Sequence, residues 1–109
     1  MNITVQGRHM DVSDSTRQFI EGKAGKLERF LDSLQSIEVI LGHEADKAVV
    51  EIVATARKKN TFVAVDRHED MYTCIDQCLH KVAEQLRRHK DKVKDRQGPS
   101  HGQSMESPE

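Results

Sequence analysis

The sequence predicts an α+β domain of order β-α-β-β-β-α, a four-stranded mixed sheet carrying two helices on one face. Three observations predict it. Two segments, 14–34 and 71–93, repeat apolar residues every three or four positions, the period of an amphipathic helix. Short β-branched runs stand before and between them, bounded by polar or glycine-containing turns. A helix between the first two strands makes them parallel by a crossover, whereas short turns leave the remainder an antiparallel meander. Each helix has one apolar stripe, so both are expected on a single sheet face, with the other face solvated.

Residues 2–6 read as the first strand, with Ile3 and Val5 alternating against polar neighbours until Gly7-Arg8-His9 breaks the run. Ser13 is a suitable N-cap, and Asp14 in the first turn complements the helix dipole. Phe19, Ile20, Ala24, Leu27, Phe30, Leu31 and Leu34 then predict a helix of about five turns. Gly22 and Gly25 lie off its apolar stripe, and packing is expected to override their low propensity. Ile37 to Leu41 reads as the second strand, with a polar turn from Gly42 to Lys47. Ala48 to Arg57 alternates, placing Val50, Ile52, Ala54 and Ala56 on one face and Val49, Glu51, Val53 and Thr55 on the other. Lys58-Lys59-Asn60 is a compact turn, Thr61 to Val65 the last strand, and Asp70 to Arg96 the second helix. The domain is expected to span 1–96. Residues 97–109, rich in Gly, Pro, Ser and Gln, are expected to be a disordered tail.

The charge is unevenly spread. The formal net charge of the 109 residues is −1, yet Lys81, Arg87, Arg88, Lys90, Lys92, Lys94 and Arg96 outnumber Glu84, Asp91 and Asp95 in the second helix. At 100° per residue, Ile75, Val82, Leu86 and Val93 fall within about 40° of one another. Lys81, Arg88 and Lys92 form a ridge roughly 120° from that centre. Lys23, Lys26 and Arg29 flank the first helix in the same manner. If the two flanks meet across a groove between the helices, that groove suits a polyanion.

Other chemistries find little support. The six histidines are scattered without zinc-helix spacing, and no glycine-rich phosphate loop or serine elbow is present. Glu69 and Asp70 read as helix-capping residues. No catalytic or metal-binding residue, and no cofactor, is expected. Cys74 and Cys78, at i and i+4, are poorly spaced for a disulfide or a metal and are expected as reduced, packed thiols. No apolar run approaches the roughly 20 residues of a membrane span. The opening residues lack a secretory pattern, so a cytoplasmic protein without membrane contact is expected.

Particular residues also resemble a family. Asn2-Ile3-Thr4-Val5-Gln6-Gly7-Arg8-His9 and Lys23-Ala24-Gly25-Lys26-Leu27-Glu28-Arg29 resemble segments of the ribosome hibernation-promoting factors, also called ribosome-associated inhibitors or sigma-54 modulation proteins. So do His68-Glu69-Asp70-Met71-Tyr72, Lys81-Val82, Gln85-Leu86 and Arg88-His89-Lys90-Asp91-Lys92. The resemblance spans about residues 2–95 and implies the same β-α-β-β-β-α fold, like that of double-stranded-RNA-binding domains. It implies an inhibitor that occupies the messenger RNA and transfer RNA channel of the small ribosomal subunit under stress or in stationary phase. The implied partner is 16S ribosomal RNA, contacted by Arg8, Lys23, Lys26, Arg29, Lys81, Arg88, Lys90 and Lys92, with Tyr72 either packing or approaching RNA. Glu84 stands where members often carry arginine, which implies one phosphate contact fewer. The length resembles a short form, monomeric off the ribosome, with a second small ribosome-dimerising protein as a further implied partner. The older family name leaves a different reading open, a protein-interaction module that modulates a transcription or stress regulator.

Overall fold

The computed structural model describes residues 1–97, with side chains as far as Asp91; the segment expected as a disordered tail lies outside the described residues apart from Gln97. Its elements are β1 (Asn2–Gly7), α1 (Asp14–Ala24), a 3₁₀ segment (Gly25–Phe30), β2 (Leu34–Glu44), β3 (Lys47–Ala56), a short 3₁₀ turn (Arg57–Lys59), β4 (Thr61–His68) and α2 (Met71–Gln97). The strands lie in the order β1-β2-β3-β4. The β1–β2 pair is parallel and the other two pairs are antiparallel, as the connections predict.

One sheet face and the two helices enclose the core. Val39 and Leu41 of β2, Val50 and Ile52 of β3, and Ile75, Val82 and Leu86 of α2 are fully buried in it, with Ile20 and Ala24 of α1. The strand alternation in β3 was legible residue by residue: Ala48, Val50, Ile52, Ala54 and Ala56 are inside. The open face carries Val49, Glu51, Val53 and Thr55, joined by Val63 and Val65, which are 48% and 41% exposed.

The first helix is shorter than the apolar spacing predicts. It starts as expected, with the Ser13 hydroxyl accepting from the Thr16 N–H at 3.2 Å, but its α-helical part ends at Ala24. From Gly25 the chain tightens into 3₁₀ geometry, and Leu31 is fully extended at φ −157°. The physical reason lies in the spacing. From Ala24 the buried positions continue at Leu27, Leu31 and Leu34, but 3₁₀, extended and strand backbone present them in succession. Glycine at 25 removes helix propensity at the junction, so the expectation that packing would override it fails there. In β2 a bulge between Leu34 and Ser36 lets Leu34 and Ile37 both face inward.

Strand β2 is also longer than expected, whereas β3 keeps its length and starts one residue earlier, at Lys47. Gly42, His43 and Glu44 pair with Val49, Ala48 and Lys47, reducing the predicted polar turn to Ala45-Asp46. Polar side chains do not prevent ladder formation, because the backbone supplies the bonds. Asp66 to His68 likewise extend β4, with Arg67 paired to Val49.

At the end of β1 a close backbone approach fixes a glycine. A Cβ on Gly7 would run into the carbonyl of Met10, whose peptide cannot yield as a flexible side chain would. Gly7→Ala is expected to destabilise the protein by about 1–3 kcal/mol, the usual range for overpacking. Urea denaturation of the two proteins measures this directly.

Candidate nucleic-acid interface

The start of α2 is built by the residues on which the family resemblance rests most. Asp70 is its N-cap: one carboxylate oxygen accepts from the Thr73 N–H at 2.9 Å and from the Thr73 hydroxyl at 2.7 Å. The Thr73 hydrogen bonds hold the Asp70 carboxyl below the usual carboxylate range. His68 Nδ1 accepts from the Asp70 N–H at 3.0 Å, tying the end of β4 to the cap. Tyr72 packs edge-on against Phe19, ring centroids 4.8 Å apart, and its hydroxyl lies 3.0 Å from the Thr16 hydroxyl. Tyr72 is thus a clasp between α1 and α2. It and the cap together fix where the basic helix starts and how it lies over the sheet.

Those contacts show which flank of α2 looks toward α1. Tyr72 meets Phe19, and one turn later Asp76 pairs with Lys23 at 3.3 Å. The 3.6-residue period carries this flank on to His80, Ala83, Arg87 and Lys90. The opposite flank borders β4. Lys81 donates to the Val65 carbonyl at 3.4 Å and pairs with Asp66 at 3.5 Å, and Gln85 donates to the Val63 carbonyl at 2.9 Å. The same period places Arg88 on this β4 side.

This corrects the expected groove. The Lys81–Arg88 ridge does not face Lys23, Lys26 and Arg29 across α2; the body of the helix separates them. Helical angles fix the spread of a ridge about its own axis but not its sense, and only the position of α1 shows which side is inward. Lys90, a contact that the family resemblance implies, follows Tyr72 and Asp76 on the α1 side instead of lying with that ridge.

The expected contact residues fall into distinct groups. Lys26, Arg29, Arg88 and Lys90 are exposed and make no ion pair with any described side chain. Lys23 and Lys81 are already paired, with Asp76 and Asp66. Arg8 lies on the opposite side of the sheet, 3.7 Å from Glu51, in a depression of about 370 Å³ also lined by His43 and Arg67. It is therefore not brought together with the helix cations. The side chain of Lys92 lies outside the described residues. Glu84 holds Arg87 at 3.2 Å, which offsets one cation on the helix surface. The sequence expectation also treats Lys58-Lys59-Asn60 only as a turn, although Arg57, Lys58 and Lys59 form a run of three exposed cations. That run was the available signal.

The two thiols are core groups. Cys74 Sγ lies 3.2 Å from the Asp66 carbonyl and Cys78 Sγ 3.3 Å from the Ala64 carbonyl, so both point at the sheet as weak donors. Burial pushes the Cys78 thiol up to about 12, and burial raises that of Cys74 as well. An acid whose folded pKa is raised keeps its proton in the native state while the unfolded chain loses it. The resulting stability is complete below about pH 9 and lost as pH rises from there toward 12. The urea midpoint is therefore expected to fall between pH 8 and pH 10, and Cys78→Ala to reduce that fall.

Among the described residues no helix is long and apolar enough to cross a membrane, and no group of three or more His, Cys, Asp or Glu is placed to hold a metal.

Comparison with known proteins matches residues 3–94 to the family model described as sigma 54 modulation protein / S30EA ribosomal protein. A ribosome hibernation promoting factor of Azotobacter vinelandii is 37% identical over 98 residues, 89% of this chain and 90% of the relative. One of Escherichia coli (strain K12) is 30% identical over 95 residues, 86% of this chain and 98% of the relative. Among solved structures, a ribosomal subunit interface protein from Coxiella burnetii superposes with a TM-score of 0.78 at 26% identity. That match covers 84% of this chain and 99% of the neighbour.

Proposed function

This chain belongs to the sigma 54 modulation protein / S30EA ribosomal protein family, and we propose from that premise that it is a ribosome-binding hibernation factor. It binds the small ribosomal subunit under stress or in stationary phase and occupies the channel used by messenger RNA and transfer RNA. The observation that carries this reading is the set of exposed cations on the helical side of the molecule, Lys26, Arg29, Arg88 and Lys90, that no described side chain neutralises. Cations left unpaired within the fold are available to phosphate without first breaking a bond.

The mechanism is occlusion, with no covalent step. The sheet holds two helices at fixed spacing, and their outer surfaces meet the 16S ribosomal RNA backbone. Lys23 and Lys81 exchange their intramolecular carboxylates for phosphate and so contribute less. Lys92, one turn beyond Arg88 on the helix, prolongs the contact. Arg8 takes part where RNA also approaches the open face of the sheet. Four phosphate contacts correspond to a loss of roughly a hundredfold in affinity between 50 and 200 mM salt.

Sedimentation of stationary-phase lysates through sucrose gradients tests this reading. The protein should migrate with particles containing the small subunit at low salt and be released at high salt. Recovery only at the top of the gradient at every salt concentration would overturn it.

A further inference from the structure

We propose that the β3–β4 turn, Arg57-Lys58-Lys59, is a third phosphate-binding segment that acts alongside the two helices; the proposal rests on the ribosomal reading above. The turn is built in a way that stability alone does not explain. Lys58 has φ 62° and ψ 28°, and Lys59 has φ 60°. Two successive central residues in the left-handed region are the mark of a type I′ turn, whose preferred sequence is Asn-Gly or a close equivalent. Lysine has a Cβ that disfavours this region and no short polar side chain to bond its own backbone there. An asparagine is present one position later, at Asn60, where φ is an ordinary −68°. The turn thus bears two strained residues and three adjacent like charges.

The strain is held by a dense set of bonds. The Asn60 N–H donates to the Arg57 carbonyl at 3.4 Å and its side-chain amide donates to the same oxygen at 3.1 Å. The Ala56 N–H donates to the Asn60 carbonyl at 2.8 Å, and the Thr61 hydroxyl donates to the Lys59 carbonyl at 3.4 Å. Such bonding fixes the direction in which the backbone presents its cations. All three residues are exposed, and none forms an ion pair with a described side chain. Residues kept in a costly conformation by their surroundings, with no described side chain to use their charge, point to a partner outside the fold.

Position identifies that partner's chemistry. The Arg57 N–H donates to the Ser33 carbonyl at 3.1 Å, joining the turn to the chain just after the 3₁₀ segment that carries Lys26 and Arg29. On the other side, Phe62 packs edge-on to His89, centroids 5.3 Å apart, bringing the α2 turn of Arg88 and Lys90 to the start of β4. The three cations therefore occupy the end of the sheet between Lys26 and Arg29 on one side and Arg88 and Lys90 on the other. A single polyanion crossing that end meets all three segments, and a ribosomal RNA backbone has the required charge density.

The test compares the wild type, the double variant K58N/K59G and the charge-preserving K58R/K59R. Each is titrated with purified bacterial small ribosomal subunits from 50 to 300 mM KCl, and each is melted alone. K58N/K59G supplies the residues the turn prefers, so its melting temperature should rise by a few degrees. Its affinity should fall roughly tenfold or more at low salt, and its salt slope should shrink by about one per lysine. K58R/K59R should bind like the wild type. Unchanged affinity and slope in K58N/K59G, or a lower melting temperature, would overturn the role of the turn while the ribosomal reading stands. Absence of wild-type binding would overturn the ribosomal reading and this proposal with it.

Discussion

Reversing the charge at Arg29, Arg88 and Lys90 together is expected to lower affinity for small ribosomal subunits by more than about a thousandfold while leaving the protein folded. Each side chain is exposed and without an ion-pair partner among the described side chains, so little in the native state depends on its charge. Surface changes of this kind cost within about 0.5 kcal/mol each. Arg88→Glu adds weak like-charge pairs with Glu84, four residues before it, and Asp91, three after it, of about 0.2–0.5 kcal/mol each. Binding responds differently, because a charge-assisted hydrogen bond contributes about 1.5–3 kcal/mol and a carboxylate facing phosphate adds repulsion. Three such losses combine to the stated factor even if the lower figure holds throughout. Circular dichroism and urea denaturation should show a native fold, and gradient sedimentation should show the variant released. A protein-interaction module that works away from RNA would keep its function in this variant, which separates the two classes of activity.

Leu86→Ala is expected to cost about 2–5 kcal/mol, a large share of the 5–15 kcal/mol typical of a whole domain. Leu86 is fully buried and is the last fully buried residue of α2 among the described residues. Beyond it, His89 still leans on Phe62, but the helix otherwise presents Arg88, Lys90 and Asp91 to solvent. Removing three side-chain carbons opens a cavity under the turn that carries those cations. Loss of stability and loss of binding should therefore appear together, in contrast to the charge-reversal variant. Equilibrium urea unfolding gives the first quantity and subunit titration the second. A shift below about 0.5 kcal/mol would show that the segment is anchored elsewhere.

Strand order and pairing sense were legible because they follow from local facts: where β-branched runs alternate, and whether a helix or a short turn connects them. Residues 24–34 were less legible. An apolar residue every three or four positions satisfies α-helix, 3₁₀ helix and a bulged strand alike, and the buried side chains Leu27, Leu31 and Leu34 are correct although the backbone beneath them is not one helix. Gly22 and Gly25, with spacing that narrows to three from Ala24 to Leu27, were the signal of a tighter turn.

At the candidate interface, which residues are exposed cations could be read from the helical period, but not which of them are free. Lys23 and Lys81 are engaged by Asp76 and Asp66, carboxylates more than ten residues away in sequence. Arg8 joins a different face because, just past the end of β1, it reaches across Gly42 of β2 to Glu51 on the open side of β3. Such pairings arise only when the helices settle on the sheet, so spacing along one helix carries no information about them. Tyr72 illustrates the same limit: its place in a family-like segment marks it as important, while its contact with Phe19 and Thr16 defines its work as a clasp.

Occupation of the messenger RNA and transfer RNA channel is most directly tested by competition on purified small ribosomal subunits. Affinity would be measured with the channel vacant and with messenger RNA and a decoding-site transfer RNA already bound, at one fixed salt concentration. The two ligands should exclude this protein competitively, raising its apparent Kd in proportion to their occupancy, and excess protein should displace them in turn. Equal affinity for vacant and occupied subunits would contradict the account, since a protein that silences ribosomes by occlusion cannot share the channel with the RNAs it excludes.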